Sequence, residues 1–153
     1  MKTKDRILVT SLALFNEEGE ANTTTIDIAN EMDISPGNLY YHFKGKDEII
    51  GELFQQYEVA LGGTLTAPIE QPLGTEDSNV EDNWYFLYVV MEEMYQYRFL
   101  YHNLEDILHR YPSIRKRFRR ITQLKRAALY AICQTLLKQA VIDTQGQQLL
   151  GLV

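Results

Sequence analysis

The sequence predicts an all-α chain in which three short N-terminal helices are joined by a fourth helix to a larger helical domain. Three observations predict it. Apolar residues recur at three- and four-residue intervals from Ile7 to Leu61 and again from Trp84 to Leu137. No stretch shows the strict alternation of a half-buried strand, and no internal repeat or low-complexity tract is present. Helix-ending and helix-starting residues divide the runs at Gly19, Ser35-Pro36, Gly62-Gly63 and Tyr111-Pro112. A length of 153 residues allows one domain, or a small domain joined to a larger one.

The first helix is expected over residues 4–18, with Ile7, Leu8, Ser11, Leu12 and Phe15 on one face and Gly19 ending it in a left-handed conformation. Thr24 or Thr25 caps a second helix that buries Ile28, Ala29 and Met32, and Asp33-Ile34 turns the chain into Ser35. Ser35 is a favoured N-cap and Pro36 fits the first helical position, where no N–H is needed. Gly37 and Asn38 add almost no bulk, so the first turn of this third helix can approach another surface closely. Leu39 and Phe43 are four apart and share the inner face, which leaves Tyr40, Tyr41, His42 and Lys44 to project elsewhere, with Lys46 just beyond. Helix, short turn, second helix is the result. Hydroxyls, an imidazole, ammonium groups and flat rings on one short helix suit phosphates and base edges.

A fourth helix over residues 47–62 follows, carrying Ile49, Ile50, Leu53, Phe54, Tyr57 and Leu61 on a continuous face and ending at Gly62-Gly63. Residues 63–79, punctuated by Pro68, Pro72 and Gly74, read as a linker loop. Residues 80–97 then show a stripe of Trp84, Leu87, Tyr88, Met91, Met94 and Tyr95. A helix over residues 98–109 continues with Phe99, Leu100, Leu104, Ile107 and Leu108 until Tyr111-Pro112 breaks it. Ser113 is expected to cap a long helix with Ile114, Phe118, Ile121, Leu124, Leu129, Ile132, Leu136 and Leu137. Gly146 interrupts the tail, and Leu149, Leu150, Leu152 and Val153 read as the start of a further helix that the chain does not complete.

Composition removes several classes of function. One cysteine, Cys133, excludes an internal disulfide framework and reads as a buried, inert thiol. No apolar run approaches the roughly 20 residues of a membrane span, and residues 1–10 carry no secretory signal, so a cytoplasmic protein without a membrane partner is expected. No nucleophile and base pair, phosphate-binding loop or carboxylate dyad stands out, and no enzymatic activity is expected. Net charge is −6, and residues 1–62 hold five basic side chains (Lys2, Lys4, Arg6, Lys44, Lys46) against eleven acidic ones. An acidic module is a poor fit to a basic nucleic-acid footprint. Its cations, however, lie in the N-terminal arm and around the third helix. Weak, salt-sensitive non-specific binding is the expectation.

Thr24, Ile28-Ala29, Ile34-Ser35, Gly37, Leu39-Tyr40, His42-Phe43 and Lys46 resemble the DNA-binding segment of the TetR family of bacterial transcriptional regulators. Met32-Asp33 departs from the Ala-Gly usual in that family, but Asp tolerates a left-handed turn better than most residues. The resemblance implies a helix-turn-helix DNA-binding domain in residues 1–46, a connecting helix in 47–62 and an effector-binding and dimerisation domain in 80–153. It further implies a homodimer on double-stranded operator DNA, repression as the commoner mode, and release by a small effector. The expected DNA-facing residues are Thr24, Thr25, Ser35, Pro36, Gly37, Asn38, Tyr40, Tyr41, His42, Lys44 and Lys46.

Trp84, Tyr88, Met91, Tyr95, Phe99 and Tyr101, facing Leu124, Ala128 and Ile132, suffice to line an apolar cavity for an apolar or amphipathic effector. Ordinary core packing accounts for the same residues. The basic run of Arg115, Lys116, Arg117, Arg119, Arg120, Lys125 and Arg126 is interrupted by Phe118, Ile121 and Leu124, which marks the wet face of an amphipathic helix. Glu92, Glu93, Glu105 and Asp106 are candidate partners for it. His102, Glu105, Asp106 and His109 lie within two turns, but a lone helix face without a cysteine reads as metal-free, so no metal and no cofactor are expected. The rival class is a ligand carrier or protein-interaction module that keeps the fold without reading DNA, supported by the acidic N-terminal balance.

Overall fold

The computed structural model describes residues 2–70 and 80–138. Helix α1 (Thr3–Glu17) buries Ile7, Leu8, Leu14 and Phe15, and Ser11 joins them because its hydroxyl donates to the Ile7 carbonyl at 2.7 Å. The chain leaves it through Gly19 at φ +89°, a conformation closed to most side chains. Helix α2 (Thr25–Glu31) is capped by Thr24 in a reciprocal box: the Asp27 N–H donates to Thr24 Oγ1 at 3.2 Å and the Thr24 N–H to Asp27 Oδ2 at 2.7 Å. Asp33 has φ +54°, so the turn survives without glycine. Its geometry is held by the Ile34 N–H donating to the Ala29 carbonyl at 3.0 Å. Helix α3 (Pro36–His42) starts as expected, with Pro36 at the first position and Ser35 Oγ accepting from the Asn38 N–H at 3.2 Å.

Helix α4 (Lys46–Glu70) corrects the sequence reading, which ended it at Gly62-Gly63 and placed a linker at residues 63–79. Glycine in a helix costs about 1 kcal/mol relative to alanine. Tyr57, Leu61, Leu65 and Pro68 nevertheless continue one buried face across the pair, and that burial carries the helix on. Residues 71–79, with Pro72 and Gly74, lie outside the described residues, as do Gly146 and the apolar positions from Leu149 to Val153.

Helix α5 (Val80–Gln96) is followed by two short helices where one was expected: α6 (Phe99–His102) and α7 (Leu104–Arg110), separated at Asn103 with φ −135° and ψ 53°. Helix α8 (Pro112–Lys138) starts at the proline, so Ser113 lies inside its first turn instead of capping it. Its 27 residues reach about 40 Å. It buries Ile114, Phe118, Ile121, Ala128 and Ile132 against α4 and the α5–α7 layer, with Phe54 and Phe118 rings 6.3 Å apart. Leu129, expected inside, is exposed because Ala128 takes the inward position, and Cys133 is exposed and not a buried thiol. Within this core Tyr57 is fully buried, shares a hydroxyl hydrogen bond with Tyr101, and Lys125 Nζ donates to Tyr101 at 2.6 Å. Burial and that tyrosine contact hold the Tyr57 hydroxyl well above its ordinary pKa, so it stays protonated.

Candidate nucleic-acid interface

Helix α3 is anchored by its inner face alone. Leu39 and Phe43 are each 2 % exposed and pack with Ile28, Ala29 and Met32, whereas Tyr40 and Tyr41 stand 59 % and 78 % exposed. Thr24, Ser35, Pro36, Gly37, Asn38 and Lys44 are also exposed, and Thr25 and His42 are half-buried. A Cβ on Gly37 would meet only Ser35 Oγ, at 3.9 Å, so nothing in the chain itself requires glycine there. The first turn therefore faces open space. Tyr41 and His42 rings lie edge to face at 5.2 Å, and Lys44 Nζ folds over the Tyr40 ring at 4.7 Å while donating to the Tyr40 carbonyl at 3.1 Å. Aromatic surface, hydroxyls, an imidazole and one cation on a single exposed face can meet both phosphates and base edges. Thr24 and Ser35 hydroxyls are already engaged as caps, and the Thr24 hydroxyl and N–H together hold the Asp27 carboxyl below its ordinary pKa.

Lys46 is placed differently from the sequence reading. Its ammonium donates to the backbone carbonyls of Glu20 at 2.7 Å and Thr23 at 3.0 Å and lies 2.8 Å from Glu20 Oε1. All three of its N–H groups are directed inward, so it fastens the start of α4 to the α1–α2 turn and is not a free phosphate donor. Glu20 is itself buried. Its other oxygen accepts from Arg110 at 2.7 Å, and Oε1 accepts from the Tyr111 hydroxyl at 2.6 Å. Glu20 and Arg110 carry no periodic signal and sequence reasoning passed over them, while Tyr111 entered it only as the helix break before Pro112. Lys4, a cation of the N-terminal arm, pairs with Glu52 at 3.2 Å and lies over the Phe43 ring.

Residues 7–53 match the family profile described as bacterial regulatory proteins, tetR family, and residues 56–153 match one described as bacterial transcriptional repressor. A solved TetR-family transcriptional regulator from Marinobacter aquaeolei VT8 superposes with a TM-score of 0.84 at 40 % identity, over 96 % of this chain and 70 % of that one. The chain belongs to the TetR family. The HTH-type transcriptional repressor KstR2 of Mycolicibacterium smegmatis is 34 % identical over 79 residues, 46 % of this chain and 38 % of that protein. The biofilm operon icaADBC negative regulator IcaR of Staphylococcus epidermidis is 41 % identical over 46 residues, 30 % of this chain and 25 % of that one. The chain thus spans well under half the length of these curated relatives.

In this TetR-family chain the residues expected to line an effector cavity do not come together. Trp84, Tyr88, Met91 and Tyr95 are 60–69 % exposed, on the outer side of α5, whereas Phe99, Ala128 and Ile132 are buried in the core. The reason is that α5 has two apolar stripes. Phe86 and Val90, with Leu87 of the expected stripe and Tyr97 just past the helix end, face inward and leave Trp84, Tyr88, Met91 and Tyr95 outside. Leu124 instead borders a groove of about 380 Å³ between α4 and α8, with Val59, Gly62, Gly63, Thr66 and Ile121, flanked by Glu58 and Arg120. In the basic run, Arg117 pairs with Glu58 on α4, not with the acidic residues of α5 or α7. His102, Glu105, Asp106 and His109 line an open concavity, and Asp106 is taken by Arg110. Among the described residues no group of three such side chains is placed to hold a metal ion, and no helix is long and apolar enough to cross a membrane.

Proposed function

We propose that this chain is a DNA-binding transcriptional repressor that reads operator DNA as a homodimer through α3 and releases it when a small apolar or amphipathic effector binds the C-terminal helices. The observation that carries the reading is α3 itself: a capped helix pinned from behind by Leu39 and Phe43, with Tyr40 and Tyr41 outward and an open first turn at Gly37. Repression is supported by the names of the relatives, two of which are a repressor and a negative regulator. One seven-residue helix covers only a few base pairs. Two copies about 34–36 Å apart would read successive major-groove faces, which supports a two-fold dimer built on the C-terminal third.

Effector release is supported by α4, which runs from Lys46 behind α3 to the groove it shares with α8. An amphipathic molecule seated along Gly62, Gly63, Ile121 and Leu124, with a polar group at Arg120 or Glu58, would act on that lever. It shifts the equilibrium only by the difference in its affinity for the DNA-competent and incompetent states. The test is a gel shift with duplexes selected in vitro by the chain, at two salt concentrations. Nanomolar to submicromolar binding that weakens with salt is expected, and Lys44→Ala should make the salt slope shallower by about one. Failure to select any duplex over bulk DNA at low salt would contradict the reading.

A further inference from the structure

Among the described residues, Asn16 and Glu20 near the end of α1 bind across the two halves of the molecule, Glu20 to Arg110 and Tyr111, in two clamps. Asn16 donates to the Gln96 carbonyl at 2.8 Å and accepts from the Phe99 N–H at 3.0 Å, which ties α1 to the α5–α6 junction. Four residues on, at the α1–α2 turn, the Glu20 carboxylate receives Lys46, Arg110 and Tyr111 at 2.6–2.8 Å. Lys46 is the first residue of α4 and stands four residues beyond the end of α3. Arg110 and Tyr111 form the turn between α7 and α8, on the other side of the molecule's functional division.

We infer that Glu20 is a positioning residue through which the α7–α8 turn sets the orientation of α3, a regulatory joint at the first residue of α4 and separate from the α4–α8 groove. The inference rests on the reading of α3 as the DNA-contacting helix. A carboxylate 5 % exposed cannot lose its partners to water at low cost, so the Arg110–Tyr111 turn and the Lys46 end of α4 must move together while the contacts last. Any displacement of the α7–α8 turn is then delivered to the base of α3 within two side chains. A chain that only needed α3 exposed would not require the C-terminal half to reach, through Glu20, the residue that starts α4 four positions beyond α3. Leu39 and Phe43 already hold it in the N-terminal core.

The experiment uses the full chain as wild type, Arg110→Met, Arg110→Lys and Tyr111→Phe, none of which alters a DNA-facing residue. Amide hydrogen exchange and urea unfolding are measured first. If the joint exists, Arg110→Met and Tyr111→Phe speed exchange in residues 20–46 about fivefold or more relative to α5, and Arg110→Lys restores part of the protection. Exchange in residues 20–46 at the wild-type rate in both variants overturns the joint, whether or not the chain binds DNA. The second arm measures affinity for in vitro selected duplexes whose half-site spacing is changed by one base pair. Wild type should discriminate between spacings, and Arg110→Met should reduce that discrimination about fivefold or more. Wild-type discrimination in Arg110→Met overturns the coupling to DNA reading, whereas absence of DNA binding by wild type contradicts the DNA-binding function and leaves the exchange result to decide the joint.

Discussion

Lys46 Nζ lies 2.8 Å from Glu20 Oε1 while donating to two backbone carbonyls of the same turn, so this lysine is a fastening of the fold. Hydrogen bonds to charged groups contribute about 1.5–3 kcal/mol each, and loss of this cation leaves a buried carboxylate short of a partner. Lys46→Ala should therefore lower the free energy of unfolding by about 2–3 kcal/mol. Urea denaturation checks it; a variant as stable as the parent would return Lys46 to the solvent and to the phosphates.

Glu20 should make stability depend on acid. Burial raises its pKa, but hydrogen bonds from Lys46 and Tyr111 and the charges of Lys46 and Arg110 outweigh burial and hold the carboxyl below its ordinary value. A depressed folded pKa contributes stability that is fully present above the unfolded value of about 4.3 and is lost as pH falls through the folded value. Asp106 faces the same Arg110 and keeps part of its charge balanced. The stability gap between wild type and Glu20→Gln should be constant from pH 6 to 8 and should shrink below about pH 4.3. A gap that grows on acidification would reverse the assignment.

Asp33, at φ +54°, should tolerate glycine better than any branched residue. Asp33→Gly is expected within about 1 kcal/mol of the parent, on either side of it, and Asp33→Val about 1–2 kcal/mol less stable. Thermal unfolding of the two variants decides it, and equal stability would mean that the turn relaxes out of the left-handed region.

Trp84, the sole tryptophan, is 69 % exposed, so acrylamide should quench its fluorescence almost as strongly as that of a free indole in dilute protein. A shielded Trp84 at the lowest concentration would show that the outer stripe of α5 is covered within one chain.

Much of the N-terminal half was legible because local chemistry decides it. Ser35 and Pro36 announce α3, Gly19 and Asp33 mark left-handed turns, and Leu39 and Phe43 have one face to bury. Helix α4 was misread at Gly62-Gly63 because glycine weakens a helix locally, while the burial of Leu65 and Pro68 that offsets it is tertiary. On α5 the sequence reading takes the stripe of Trp84, Tyr88, Met91 and Tyr95 and does not name Phe86, Val90 and, just past the helix, Tyr97, which recur at helical spacing two residues later. Only packing chooses between them. The contacts of Glu20 with Arg110 and Tyr111 were invisible for a different reason: 90 residues separate the carboxylate from its guanidinium, and no spacing rule links them.

The DNA-reading role of α3 is tested most directly at Gly37, where an added Cβ makes only an ordinary contact with Ser35 Oγ, at 3.9 Å, in the free protein. Fluorescence anisotropy of an in vitro selected duplex, with urea stability measured alongside, compares wild type with Gly37→Val. A branched side chain should hold α3 away from the groove and weaken binding at least about tenfold, or by about 1.4 kcal/mol, with stability unchanged within about 0.5 kcal/mol. Undiminished affinity in the folded variant would contradict close docking of α3 on DNA.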